Sequence, residues 1–234
     1  MSELIEVHGL AKYFGRFSAL RDLNITVPGG QFIALFGRNG AGKTTFLRIL
    51  AGLSRPSAGS VKIHADKPGS QGARAAIGYL SHNTALYLDL TALENLRFYA
   101  RLLDLPGDDK DLEERIARVG LAGRAREPVR NYSRGMQQRL AIARAFLHDP
   151  SILLLDEPFT GLDQEGTGFL QGYLDEARKR GKTCLMAIHD APLGHALADR
   201  LVVIEKGVVA LDLATKAAGL DEFQRHYRGL TEER

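Results

Sequence analysis

Gly37-Arg38-Asn39-Gly40-Ala41-Gly42-Lys43-Thr44 stands directly after the apolar run Phe32 to Phe36 and opens a helical pattern, Thr44 to Leu50, that Gly52 stops. The spacing G-x-x-x-x-G-K-T between a strand and a helix is that of a phosphate-binding loop. Its glycines let backbone N–H groups turn inward onto phosphate oxygens, and the helix start adds a favourable dipole. Lys43 supplies a positive charge for the outer phosphates, and the Thr44 hydroxyl, followed by Thr45, is placed to reach a Mg²⁺ ion. A glycine-rich turn without a ligand is the competing reading. It does not account for the strand before the loop, the helix after it and the Lys-Thr pair at the junction.

Outward from this loop, Leu153-Leu154-Leu155-Asp156-Glu157 sets two acids at the end of a continuous apolar run. Such a run reads as a strand buried on both faces, and open α/β sheets place their ligands at the carboxyl ends of such strands. Successive strand residues point opposite ways, so the two carboxylates suit separate tasks. Asp156 would hold Mg²⁺ and Glu157 would orient or deprotonate an attacking water.

The remaining chain is consistent with this arrangement. It has 234 residues, 44% hydrophobic and 25% charged, with 31 basic against 28 acidic side chains and a net charge of +3. That is a globular composition, and the small excess of charge gives no reason to expect a nucleic-acid partner. A single cysteine, Cys184, rules out a disulfide scaffold or a four-cysteine zinc site. No apolar run approaches the ~20 residues needed to span a bilayer, and the opening MSELIEV lacks the form of a signal peptide, so a cytosolic chain is expected. Short β-branched runs (IEV, LNITV, QFIALF) predict strands early in the chain, with a tight turn at Pro28-Gly29-Gly30 and further strands over 60–64 and 75–80. Between about 84 and 149 the pattern becomes helical, and Met136, Leu140, Ala143 and Leu147 share one helix face. TCLMAI and LVVIE then resume the strands around a helical stretch, FLQGYLDEARKRG. After Glu205 the sequence reads as a turn at Lys206-Gly207 and a polar ending. The alternation predicts an α/β fold with a mostly parallel sheet and a helical subdomain inserted in one domain spanning 1–234. Eight arginines and a single acid, Glu127, lie between Arg115 and Arg144. They read as solvated helix faces, with a positive wall toward a nucleotide or anionic lipid as the alternative.

Taken together, these residues resemble the ATP-binding subunit of ABC transporters over nearly the whole chain. Tyr13 lies upstream of the loop, where the family stacks an aromatic on adenine. Asn131-Tyr132-Ser133-Arg134-Gly135-Met136-Gln137-Gln138-Arg139 is similar to the signature segment, and Gly161-Leu162-Asp163 to the dimer-contact loop. His189 follows the strand TCLMAI, at the place of the family's switch histidine. The resemblance implies a P-loop NTPase core with an antiparallel β portion near the N-terminus, ATP and Mg²⁺ as ligands, and ATP hydrolysis. It also implies a head-to-tail pair of ATPase subunits in which Ser133 and Gly135 meet the γ-phosphate held by the partner. The chain would sit on the cytoplasmic face of the membrane, against separate integral membrane subunits. An ABC-type DNA repair or chromosome protein would need a long coiled-coil or zinc-bearing insertion ahead of the signature, and the sequence has neither.

Two positions depart from the family pattern. Arg134 replaces the first glycine of the signature, and His82 replaces a glutamine that contacts Mg²⁺ and the water. With its flanking stretch GYLSHNTALYLDLTALENLRFYARLL, His82 makes the chain similar to the ATP-binding subunit of the cytochrome c maturation complex, a haem exporter. Related helices also occur in exporters of drugs, lipids and polysaccharide, so that alternative stays open. A protonated His82 would set a positive charge beside Mg²⁺. ATPase activity is therefore expected to fall on acidification in part through this side chain. Comparing the pH profiles of the natural chain and His82→Gln checks this; identical acid limbs would remove the idea.

Overall fold

The computed structural model describes residues 3–232. β1 (Glu3–Phe14) and β2 (Phe17–Pro28) form a hairpin, and β3 (Phe32–Phe36) runs into the loop 37–42 and α1 (Lys43–Leu50). β4 (Ala58–Ile63), α2 (Gln71–Ala76) and β5 (Ile77–Leu80) follow. The helical insertion comprises α3 (Ala92–Leu102), α4 (Asp109–Ile116), a wound segment over Ala117–Leu121 and α5 (Arg134–Ala145). The core resumes with β6 (Ile152–Asp156), α6 (Gln164–Lys179), β7 (Thr183–Ala187), α7 (Ala191–Leu197) and β8 (Arg200–Glu205).

Two sheets carry the fold. β2-β1-β4 is antiparallel, as the resemblance implies, while β5, β6, β7, β3 and β8 lie in that order as a parallel sheet. The parallel strands read as unbroken apolar runs because both faces are covered. In β3, Ile33 and Leu35 face the core beneath the antiparallel sheet, while Phe32, Ala34 and Phe36 face the helices on the other side. α5 is packed on two sides: Leu140, Ala143 and Leu147 close the core of the helical insertion, and Ala141, Ile142, Ala145 and Phe146 press on the parallel sheet. Its N-terminus is fixed by Ser133, whose Oγ accepts the Met136 N–H.

The end of the chain departs from the sequence reading. Past the turn at Gly207 (φ 82°), β9 (Val208–Ala214) pairs antiparallel with β8, and α8 (Leu220–Glu232) closes the fold. Leu220, Phe223, Tyr227 and Leu230 lie three or four residues apart among polar neighbours, so one narrow stripe suffices to dock the helix. Phe223 is fully buried, its ring 4.8 Å from that of Phe36. Phe223→Ala is expected to cost about 3–5 kcal/mol of stability in a denaturant titration. A loss below about 1 kcal/mol would show that α8 does not belong to the core.

Candidate nucleotide site

Because β5, β6, β7 and β3 are neighbours and parallel, the segments leaving their carboxyl ends share one edge. β3 delivers the glycine loop, β6 Asp156 and Glu157, β7 His189, and β5 the loop bearing His82.

The glycine loop turns on three left-handed residues, Gly37 (φ 143°), Gly40 (φ 82°) and Gly42 (φ 113°). Gly37 is required on space as well, since a Cβ there would sit 2.1 Å from the Ile204 carbonyl oxygen. Gly42 caps α1 with no side-chain hydrogen bond, which leaves the first N–H groups of the helix directed at the loop's hollow. From outside, the hollow is braced by the β8–β9 turn, where the Gly207 N–H donates to the Ala41 carbonyl at 3.1 Å. The sequence shows that turn without showing what it supports.

Lys43 is buried, and its Nζ donates to the carbonyls of Gly37 at 2.7 Å and Arg38 at 3.2 Å. Burial lowers its pKa, opposed by the nearby charges of Glu157 and Asp156. The Thr44 hydroxyl donates to Asp156 Oδ1 at 3.0 Å, tying the first turn of α1 to the end of β6. Burial in turn raises the pKa of Asp156, whose second oxygen, Oδ2, is buried with no partner. An orphaned carboxylate oxygen beside a threonine hydroxyl suits a cation bearing its own oxygen ligands.

Glu157 adopts a left-handed backbone (φ 54°), which costs a non-glycine residue roughly 1–2 kcal/mol. Its N–H still reaches the Ala187 carbonyl at 3.1 Å, so the kink turns the side chain without detaching it from β7. The carboxylate then lies 2.7 Å from His189 Nε2 through Oε1 and 4.0 Å from His82 Nδ1 through Oε2. The contact of His82 is thus with Glu157, and its field also bears on Asp156. Sequence spacing gives no signal for this three-residue cluster.

The other expected residues lie elsewhere. Tyr13 is half exposed near the tip of the β1–β2 hairpin, where its N–H donates to Ser57 Oγ at 3.0 Å. Ser133 caps α5, Arg134 lays its side chain along Gly161, and a Cβ on Gly135 would come within 3.3 Å of the Gly161 carbonyl. The signature and the 161–163 turn therefore form one surface, joined further by Arg139 to Asp163 (3.8 Å) and Glu165 (3.5 Å).

The family model described as "ABC transporter" matches residues 20–160. The chain belongs to the ABC transporter family. This ABC ATPase is 38% identical over 212 residues to the aliphatic sulfonates import ATP-binding protein SsuB of Pseudomonas putida, covering 90% of this chain and 76% of the relative. It is 36% identical over 209 residues to the Nod factor export ATP-binding protein I of Rhizobium johnstonii, covering 87% of this chain and 67% of that one. Among solved structures it is similar to the ATP-binding cassette MJ0796 in a dimeric post-hydrolysis state bound to ADP and Pi. The TM-score is 0.83 at 26% identity, over 92% of this chain and all of that one. The α/β P-loop fold and the ATPase activity that the sequence implies are those of the family.

Proposed function

We propose that this ABC ATPase drives a membrane transporter, and that the cluster Glu157–His189–His82 beside Asp156 and Thr44 is its hydrolytic centre. The observation that supports this most is the Glu157 carboxylate, held by His189 at 2.7 Å and next in sequence to a buried acid. Bound ATP would lie with its β- and γ-phosphates over loop 37–42 and the N–H groups of Lys43, Thr44 and Thr45. Lys43 would exchange the loop carbonyls for phosphate oxygens, so its buried charge gains an anionic partner. Thr44 and the orphaned oxygen of Asp156 fit Mg²⁺, which would spread the negative charge developing on the phosphate. Glu157 takes a proton from water as the water oxygen bonds to the γ-phosphorus; the bond to the β-bridging oxygen breaks and ADP departs. His189 orients that carboxylate and lies ready to contact the γ-phosphate. His82 flanks the same carboxylate, a role that adds to or replaces the Mg²⁺ contact expected for this position. Tyr13 would stack on adenine.

Ser133 and Gly135 belong to a surface with Gly161 that suits a second copy of the subunit head to tail, each copy completing the other's site. MJ0796, of the same fold, is described as dimeric. For the membrane partner the support is an exposed apolar patch beside the His82 loop: Tyr87, Leu88, Phe98 and Leu102, with the Tyr87 and Phe98 rings 4.9 Å apart. Among the described residues no helix is long and apolar enough to cross a membrane. We place the membrane subunits in separate chains and this chain on the cytoplasmic face, as a single domain that contains the helical insertion at 84–149.

For the cargo we propose haem handling in cytochrome c assembly, supported by His82 and the stretch that follows it. Export of a drug, lipid or polysaccharide is the second reading, favoured by the likeness to a Nod factor export protein.

Glu157→Gln is expected to keep ATP binding, lower kcat by about a hundredfold or more and trap an ATP-bound dimer visible by light scattering. Near-normal turnover would remove Glu157 as the base. Affinity purification of the chain from its native membranes is expected to recover small integral membrane proteins carrying haem. Recovery of a haem-free exporter permease would decide for the second reading.

A further inference from the structure

Most arginines of the run 115–144 have acidic partners: Arg115 with Asp111, Arg124 with Glu127, Arg126 with Glu113, Arg130 with Asp89, and Arg139 with Asp163 and Glu165. Arg144 is different. Its Nε is buried without a partner, and no carboxylate among the described residues pairs with it. One N–H of its guanidinium donates to the Tyr79 carbonyl at 3.1 Å, and the group lies over the Tyr99 ring, 5.1 Å from the centroid. Burial pushes both phenols up, Tyr79 to about 12, so they stay neutral and offer no counter-charge. A half-buried cation whose Nε is closed off from water without a partner is costly, and its contacts show what it joins.

Those contacts belong to three elements. Tyr79 is on β5, just before the loop that carries His82. Tyr99 is on α3, and its hydroxyl donates to the carbonyl of Ala85 in that same loop. Arg144 is on α5, the helix that Ser133 caps. One turn along, His148 Nε2 meets the Ile77 carbonyl at 3.0 Å, so α5 and its C-terminal extension are pinned to β5 at two points. The close approach depends on Gly78, where a Cβ would lie 2.6 Å from the Ala145 carbonyl oxygen and 2.5 Å from Pro150 Cγ. The His82 loop is therefore held at its root through Tyr79 and in its middle through Ala85, and both holds meet at one guanidinium. A lysine could not replace it, because a planar donor group is needed to bond a carbonyl while lying on a ring.

We propose that Arg144 and Tyr99 are positioning residues for hydrolysis: they lock loop 81–90, and with it His82 beside Glu157, to the signature helix α5. A movement of α5 is then passed to the hydrolytic cluster, and a push on the exposed patch around Tyr87 and Phe98 is passed the same way. Tyr99, half-buried against the core of the helical insertion, adjoins that patch, its ring 5.3 Å from Phe98. The proposal rests on the assignment of Glu157 and His82 to the hydrolytic centre.

The test uses the full chain with Tyr99→Phe, which keeps the ring and removes the bond to Ala85, and Arg144→Met, which keeps length and removes charge and donors. Each is expected to lower kcat by about tenfold to a hundredfold with KM for ATP within about twofold. Amide hydrogen exchange should quicken over 81–90 and stay unchanged in β3 and β6. The double variant should be no slower than Arg144→Met alone, because both break one joint. Natural kcat with natural exchange over 81–90 in a folded variant overturns the proposal, and so does a loss confined to KM or shared by exchange throughout the core. If Arg144→Met does not fold, Tyr99→Phe alone decides. Should Glu157→Gln retain turnover, the hydrolytic assignment fails on that result, while the exchange over 81–90 still reports on the joint.

Discussion

Burial of β3, β6 and β7 on both faces is the constraint from which the site follows. A strand with every side chain buried has no room for polar chemistry along its length, so functional groups collect where it ends. Since the strands are parallel and adjacent, these ends converge on one edge. The glycine loop, Asp156, Glu157 and His189 become neighbours although they come from distant parts of the sequence. The Thr44–Asp156 hydrogen bond, at 3.0 Å, joins residues 112 apart in the sequence and draws the first turn of α1 to the end of β6.

The site is electrostatically unfinished, and its energetics favour a ligand. Lys43 is buried against neutral carbonyls, and Asp156 is buried with one oxygen unpaired. Burial moves each group's pKa toward its neutral form, down for the lysine and up for the aspartate. A ligand bringing both phosphate oxygens and a divalent cation restores partners to both at once. Glu157 is in a different position. Its strained backbone and its hydrogen bond to His189 direct the carboxylate away from the core, between His189 and His82.

α5 is the mechanical centre of the fold. Its N-terminal cap is Ser133, its flanks seal both the helical insertion and the parallel sheet, and Arg139 and Arg144 reach out to the 161–165 segment and to Tyr79 and Tyr99 on β5 and α3. Arg115, Arg124, Arg126 and Arg130 pair with acids at the protein surface. Such pairs contribute little to stability. Arg144 differs from these four because its contacts, the Tyr79 carbonyl and the Tyr99 ring, lie on elements that the chain brings together only on folding.

The sequence by itself determined the phosphate loop, the acidic pair after an apolar strand, the α/β alternation and the helical insertion. Each is written in consecutive residues whose types are forced by local geometry: glycine where φ is positive, unbroken apolar runs where both faces are covered, periodic apolar residues along a helix. The last strand and helix were not legible as such. β9 alternates between half-buried and exposed residues, and α8 docks through one narrow stripe led by Phe223. Only the tertiary structure decided that His82 meets Glu157 and that Arg144 meets Tyr79, 65 residues away. Which strand ends are adjacent, and which arginine ties α5 to β5, depend on strand order and on the close approach permitted at Gly78, and neither property is carried by any single stretch of the chain.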